Sequence, residues 1–153
     1  MSAAAANVGH ILVPHDFSET GEHALTFALD LAQPLGARVT VLHVYEVPAF
    51  AFPEMPVETS DLTGQIERAS QSALDSVVTR AQRPGVDVRA LLREGTVWSE
   101  IQLAAGETRA DLVVMGTHGR SGLSRALLGS VTEKVVRTAP CPVLTVRGPD
   151  SER

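Results

Sequence analysis

Short, unbroken apolar runs alternate along the chain with longer stretches in which apolar residues return every three or four positions. "HILVP" (10–14) is a run of the first kind, and its continuity predicts a buried strand. Ser18 then stands where a helix N-cap belongs, and Ala24, Ala28, Leu31 and Leu35 recur at helical spacing on one face. Gly36 supplies the stop. "RVTVLHVYEV" (38–47) is β-branched and continuous, so it predicts a second strand covered on both faces. The stretch 46–60 contains "PAFAFPEMPVETS", whose three prolines and missing period predict a loop, a lid or a contact arm. From Asp61 to Gln82, the positions Leu62, Ile66, Ala69, Ala73 and Val77 mark an amphipathic helix. "GVDVRALLREG" (85–95) predicts a third strand, and "TVWSEIQLAAGETRA" a short helix with Ile101, Ala104 and Ala105 inward. "DLVVMG" (111–116), "GSVTEKVVRTA" (129–139) and "PVLTVR" (142–147) follow as strand, helix and strand.

This alternation points to an open α/β fold with a parallel sheet and helices on both faces. The length, 153 residues, suits one domain, with 1–8 and 148–153 expected to be flexible ends. In such sheets, ligands sit beyond the carboxyl ends of the strands where the strand order reverses. Pro14-His15-Asp16 after the first strand, and the glycines after the fourth, are therefore the places for chemistry.

Composition narrows the partners. A net charge of −5 argues against nucleic acid, which needs a clustered positive surface. No apolar run reaches the length of a membrane span, and "MSAAAANVGH" lacks the pattern of a signal peptide. Cys141 is the sole cysteine, which excludes an intrachain disulfide and fits a cytoplasmic protein. Between Pro140 and Pro142 it reads as an inert, buried thiol.

The stretch "VVMGTHGRSGLSRALLGSVTEKVV" (113–136) carries glycines at 116, 119, 122 and 129, with Ser130 after the last. Glycine allows backbone amides to approach an anion and permits positive φ. Gly129 and Ser130 fall where the last helix begins, and a helix N-terminus offers unpaired N–H groups and a favourable dipole. Ser130 either caps that helix or donates to a phosphate. A Walker A loop is excluded, because the only lysine, Lys134, lies within the helix. The dinucleotide fingerprint fails as well, since Gly116 and Gly119 are two residues apart and follow the fourth strand.

The spacing Gly116-x-x-Gly119, nine residues, then Gly129-Ser130 resembles the nucleotide-binding pattern of the universal stress protein family. "LVVMGTHGRSGLSRALLGSVTEKVVRTAPCPVLTV" is similar to that family's carboxyl-terminal half, and "HILVPHDFS" to its first strand and turn. The resemblance implies a flavodoxin-like, five-stranded parallel sheet in the order 3-2-1-4-5. It also implies that ATP binds with Mg2+ or Mn2+, which the phosphates would carry. By position, Asp16 would contact the ribose, with Pro14, His15 and Val41 near the adenine. Met115, Gly116, His118, Gly119, Gly129, Ser130, Val131 and Thr132 would line the ribose and phosphates. Family dimers commonly pair through the last strand, here Val143, Leu144, Thr145 and Val146, and the protein partner is unknown.

Structural roles compete with these assignments. Asp16 could serve only an Asx turn or helix cap. His15 could stack near a base or face solvent. The sequence places no evident second catalytic residue with His118, so a contact from its amide is the more natural expectation. Arg120 and Arg125 could meet phosphate oxygens or stay solvated; Arg120 is kept with the site and Arg125 read as surface charge. His10, His23 and His43 lack metal-ligand spacing. Trp98 is expected to pack its helix on the sheet, while Phe50, Phe52 and Met55 could close over a base or meet a second subunit. The function expected is ATP-dependent regulation without an enzyme's placed base. A slow ATPase or phosphotransferase, and an interaction module with an empty crevice, are the alternatives.

Overall fold

A computed structural model describes residues 7–47, 56–118 and 128–148, with the side chains of 56–60 excepted. The elements run β1 (His10–Pro14), α1 (Glu19–Leu35), β2 (Arg38–Tyr45), α2 (Pro56–Ala81), β3 (Val88–Glu94), α3 (Val97–Glu107), β4 (Leu112–Gly116), α4 (Ser130–Thr138) and β5 (Val143–Val146). The five described strands pair in parallel throughout, in the order β3-β2-β1-β4-β5.

The sheet divides the apolar core in two, because successive strand residues point to opposite faces. Ile11, Val13, Val39, Val41 and Val114 pack on one face with Ala24, Ala28, Ala32 of α1 and Leu74, Val77, Ala81 of α2. Leu12, Leu42, Val44, Val113 and Met115 pack on the other with Ile101, Ala104, Ala105 of α3 and Val135 of α4. Burial on both faces explains why the central strands read as continuous apolar runs.

Helix α1 obeys its local signals. The Ser18 hydroxyl accepts the Gly21 amide at 3.1 Å, and Gly36 closes the helix at φ 64. Its buried stripe is Gly21, Ala24, Leu25, Ala28, Leu29 and Ala32. Leu31 is only partly buried and Leu35 is exposed, so the expected stripe was rotated toward solvent at its end. Helix α2 begins at Pro56, so the last five residues of the expected 46–60 loop are helical. Proline tolerates the first turn, where its missing N–H has no intrahelical acceptor. Ala69 of the expected apolar stripe is exposed, because the core of this face meets α2 at Leu74, Val77 and Ala81 in its last turns. Trp98 packs against the α3–α4 core as expected, and the Lys134 ammonium lies 5.4 Å from its ring centre. Cys141 is partly buried, and burial pushes its thiol pKa up, away from the reactive thiolate.

Candidate functional site

The order reverses at β1, so the carboxyl ends of β1 and β4 border one crevice. Their direct pairing covers only Ile11↔Leu112 and Leu12↔Val113. Beyond that, each strand end stays with its outer neighbour: the His15 amide donates to the Leu42 carbonyl at 2.8 Å, and the Thr117 amide to the Val146 carbonyl at 3.0 Å. A cavity of ≈470 Å³ opens between them. A larger hollow along α2, lined by Arg68, Ser72, Asp75 and Thr79, is an open surface groove remote from the strand ends.

Three kinds of wall meet in the cavity. Pro14, His15, Asp16 and Gly21 form one side, from the end of β1 and the start of α1. Met115, Gly116, His118, Gly129, Ser130, Val131 and Thr132 form another, from the end of β4 and the start of α4. Leu42, His43 and Val44 of β2, with Val97 and Ile101 of α3, supply an apolar floor that sequence reasoning had not assigned. Val41 does not line the cavity; it packs in the α1–α2 core on the opposite face. A strand buried on both faces shows no hydrophobic alternation, so the sequence held no signal to place Leu42 and Val44, rather than Val41, on the cavity side. Gly119, Arg120 and Arg125, with Phe50, Phe52 and Met55, lie outside the described residues.

The β1 turn is tightly organised. Asp16 Oδ1 accepts the Ser18 amide and hydroxyl, and the same hydroxyl caps α1. The described contacts engage this one oxygen of the carboxylate. Phe17 sits at φ 65, a left-handed conformation costly for a residue with a Cβ. Its amide donates to His15 Nδ1 at 2.9 Å, and its ring lies 4.2 Å from that of His43. His43 Nδ1 donates to the His15 carbonyl at 2.7 Å. His15 does not face solvent: it is 3% exposed, and Glu22 Oε1 lies 3.4 Å from its Nε2. Burial lowers its pKa first of all, against the opposing pull of Glu22 and Asp16.

The glycine side works by close approach. Neither Gly116 nor Gly129 has positive φ. A Cβ on Gly116 would lie 2.5 Å from Thr20 Cγ2 of α1, and one on Gly129 would lie 3.3 Å from the Thr117 carbonyl oxygen. Gly129, not Ser130, occupies the N-cap, and no side chain caps α4 there. The Gly129 carbonyl accepts the Glu133 amide, leaving the Ser130, Val131 and Thr132 amides in the first turn, beyond reach of any helical carbonyl. The Thr132 hydroxyl donates to the Gly116 carbonyl at 2.9 Å and ties α4 to β4. Glu46 Oε1 accepts the Val97 amide at 3.3 Å, so a side chain from beyond β2 caps α3, whose own Thr96 side chain does not. Among the described residues, no three His, Cys, Asp or Glu side chains converge as a metal site. No described helix is long and apolar enough to cross a membrane.

Known proteins share this arrangement. The universal stress protein family model matches residues 7–147. A universal stress protein of Methanocaldococcus jannaschii is 38% identical over 144 residues, covering 93% of this chain and 84% of that protein. The solved structure of hypothetical protein MJ0577 superposes with a TM-score of 0.83 at 28% identity, over 95% of this chain and 99% of its own. A universal stress protein solved in complex with cAMP superposes with a TM-score of 0.67 at 25% identity, over 94% and 99% of the two chains. Family match, strand order and crevice agree: this chain belongs to the universal stress protein family.

Proposed function

We propose that the crevice binds an adenine nucleotide, ATP in the first instance, and that the protein acts as a nucleotide-responsive regulator. One observation carries this: an apolar floor, a carboxylate-bearing turn and a helix N-terminus with no side-chain cap converge on one cavity. Leu42, Val44, Val97, Ile101 and Met115 suit the flat apolar base. Asp16 stands on the wall opposite α4, where a ribose hydroxyl could meet its carboxylate. The first-turn amides of α4 and the close backbone approach at Gly129 suit phosphate oxygens. The related protein solved with cAMP supports an adenine ligand and does not count its phosphates.

Mg2+ or Mn2+ would come in on the phosphates with its own waters. A homodimer through β5 belongs to the same proposal: β5 is a sheet edge, and Val143, Leu144 and Thr145 are only partly buried. The test is to denature protein purified without added nucleotide, identify what is released, and titrate the stripped protein with Mg-ATP. Released or tightly titrating adenine nucleotide supports the reading; a protein that ignores ATP, cAMP and AMP alike removes it.

A further inference from the structure

We propose that His15 is a proton-operated latch on this site: protonating its imidazole releases the Asp16–Ser18 turn and weakens nucleotide binding. The latch is regulation of the nucleotide site and rests on that reading for its consequence, though not for its geometry.

The His15 side chain is fully buried, and its Nδ1 accepts the Phe17 amide at 2.9 Å. An accepting ring nitrogen must carry its lone pair, so the neutral ring holds its proton on Nε2. That second nitrogen is buried without a hydrogen-bond partner among the described residues. The imidazolium carries a proton on both nitrogens. Nδ1–H would then face the Phe17 N–H, donor against donor, and the bond that holds Phe17 at φ 65 would become a repulsion. Phe17 keeps the contact of its ring with that of His43, but without the amide bond a non-glycine residue leaves that conformation more readily. The neighbours of Phe17 are Asp16, on the cavity wall, and Ser18, which caps α1, so the wall and the cap move together.

The charged surroundings set the direction of the motion. Glu22 from α1, 3.4 Å from Nε2, and Asp16 from the turn favour the charged ring. Arg80 from α2, itself 3.0 Å from Glu22, and His43 from β2 oppose it. Burial outweighs these, so the ring is neutral at neutral pH and the turn is closed. On protonation, Glu22 becomes the natural partner, and it lies on α1 rather than in the turn.

The experiment has two arms. In unliganded protein, 15N NMR follows the His15 ring nitrogens and the Phe17 amide from pH 8 to 5. In parallel, calorimetry gives the Mg-ATP affinity of wild type and His15→Asn at pH 7.5 and 5.5. Asparagine can accept the same amide two residues on but does not titrate. The wild-type affinity is expected to fall by up to about tenfold per pH unit once the ring titrates, and the His15→Asn ratio by clearly less. Phe17 amide exchange is expected to accelerate as His15 protonates. Equal pH ratios in the two proteins, or a Phe17 amide still protected beside a protonated ring, would overturn the latch. If neither protein binds Mg-ATP at any pH, the nucleotide reading fails, and the NMR arm alone decides whether the turn is proton-operated.

Discussion

Thr20 offers a test of why position 116 is glycine. Each of its two branches faces a glycine: Cγ2 lies 2.5 Å from where a Gly116 Cβ would be, and Oγ1 lies 2.7 Å from where a Gly148 Cβ would be. Comfortable carbon–carbon contact begins near about 3.5 Å, so Gly116→Ala is short by roughly 1 Å. Turning Thr20 about χ1 relieves Gly116 only by moving Cγ2 elsewhere, either toward Gly148 or with Oγ1 brought to Gly116 in its place. The threonine thus sits between Gly116 at the end of β4 and Gly148 beyond β5, and alanine at 116 must push Thr20 off its rotamer or shift α1. Overpacking of this kind costs about 1–3 kcal/mol. Thr20→Ser removes Cγ2 and keeps Oγ1, so the double variant should recover at least about 1 kcal/mol of the loss, a coupling well outside additivity. Urea unfolding of wild type, both single variants and the double variant at pH 7.5 measures it. Additivity within about 0.5 kcal/mol would refute the wedge. Mg-ATP titration of the double variant then separates two causes. Affinity restored with stability means the glycine serves packing against α1; affinity still lost means that backbone approach to the ligand needs it as well.

Other outcomes follow from the same geometry. His10 and His15 both have pKa values lowered chiefly by burial, so the unfolded chain takes up protons near pH 6.5 while the folded one does not. Stability should therefore be flat in these groups above about pH 7 and fall below about 6.5, by at most about 1.4 kcal/mol per pH unit for each histidine. Urea melts from pH 8 to 5 check this, and a pH-independent midpoint would contradict it. Asp16→Ala removes the acceptor of the Ser18 amide and the carboxylate proposed to meet the ribose. It should lower stability by about 1 kcal/mol and nucleotide affinity by about tenfold or more, read by thermal melts and calorimetry; unchanged affinity would take Asp16 out of the site. Asp111 Oδ2 accepts the Gly9 and His10 amides, each at 2.9 Å. Asp111→Ala should cost about 1–2 kcal/mol in urea unfolding, discounted for the exposure of this residue, and a negligible change would leave β1 anchored by its ladder alone.

What could be read before the fold was seen, and what could not, divides along physical lines. β1 and β4 are apolar runs because both faces are covered, and α1 is bracketed by a serine cap and a left-handed glycine, signals local enough to survive in sequence. The two strand ends were legible for the same reason, and they do border one cavity. Parity was not legible. A doubly buried strand hides which residues face the ligand, so Val41 was taken where Leu42 and Val44 stand. The start of α2 was hidden by Pro56, which reads as a breaker in a proline-rich stretch yet is tolerated as a first helical residue. Nothing in "PHDFSE" announces that Phe17 takes a left-handed conformation or that His15 turns inward toward Glu22. Those features come from contacts between β1, β2 and α1 that no local pattern records.

The short ladder between β1 and β4 has a mechanical meaning. Asp111 clasps the starts of the two strands, two register pairs follow, and then each strand leans on its outer neighbour. The sheet is in effect a book with its spine at Asp111 and its pages parted at Pro14 and Gly116. A nucleotide bound between the pages, as proposed, would stand in for the missing rungs and join two half-sheets whose direct pairing ends at Leu12↔Val113. Occupancy of the crevice would then be felt beyond its walls, as slower amide exchange in β5 and β2, on the outer sides of the strands it bridges.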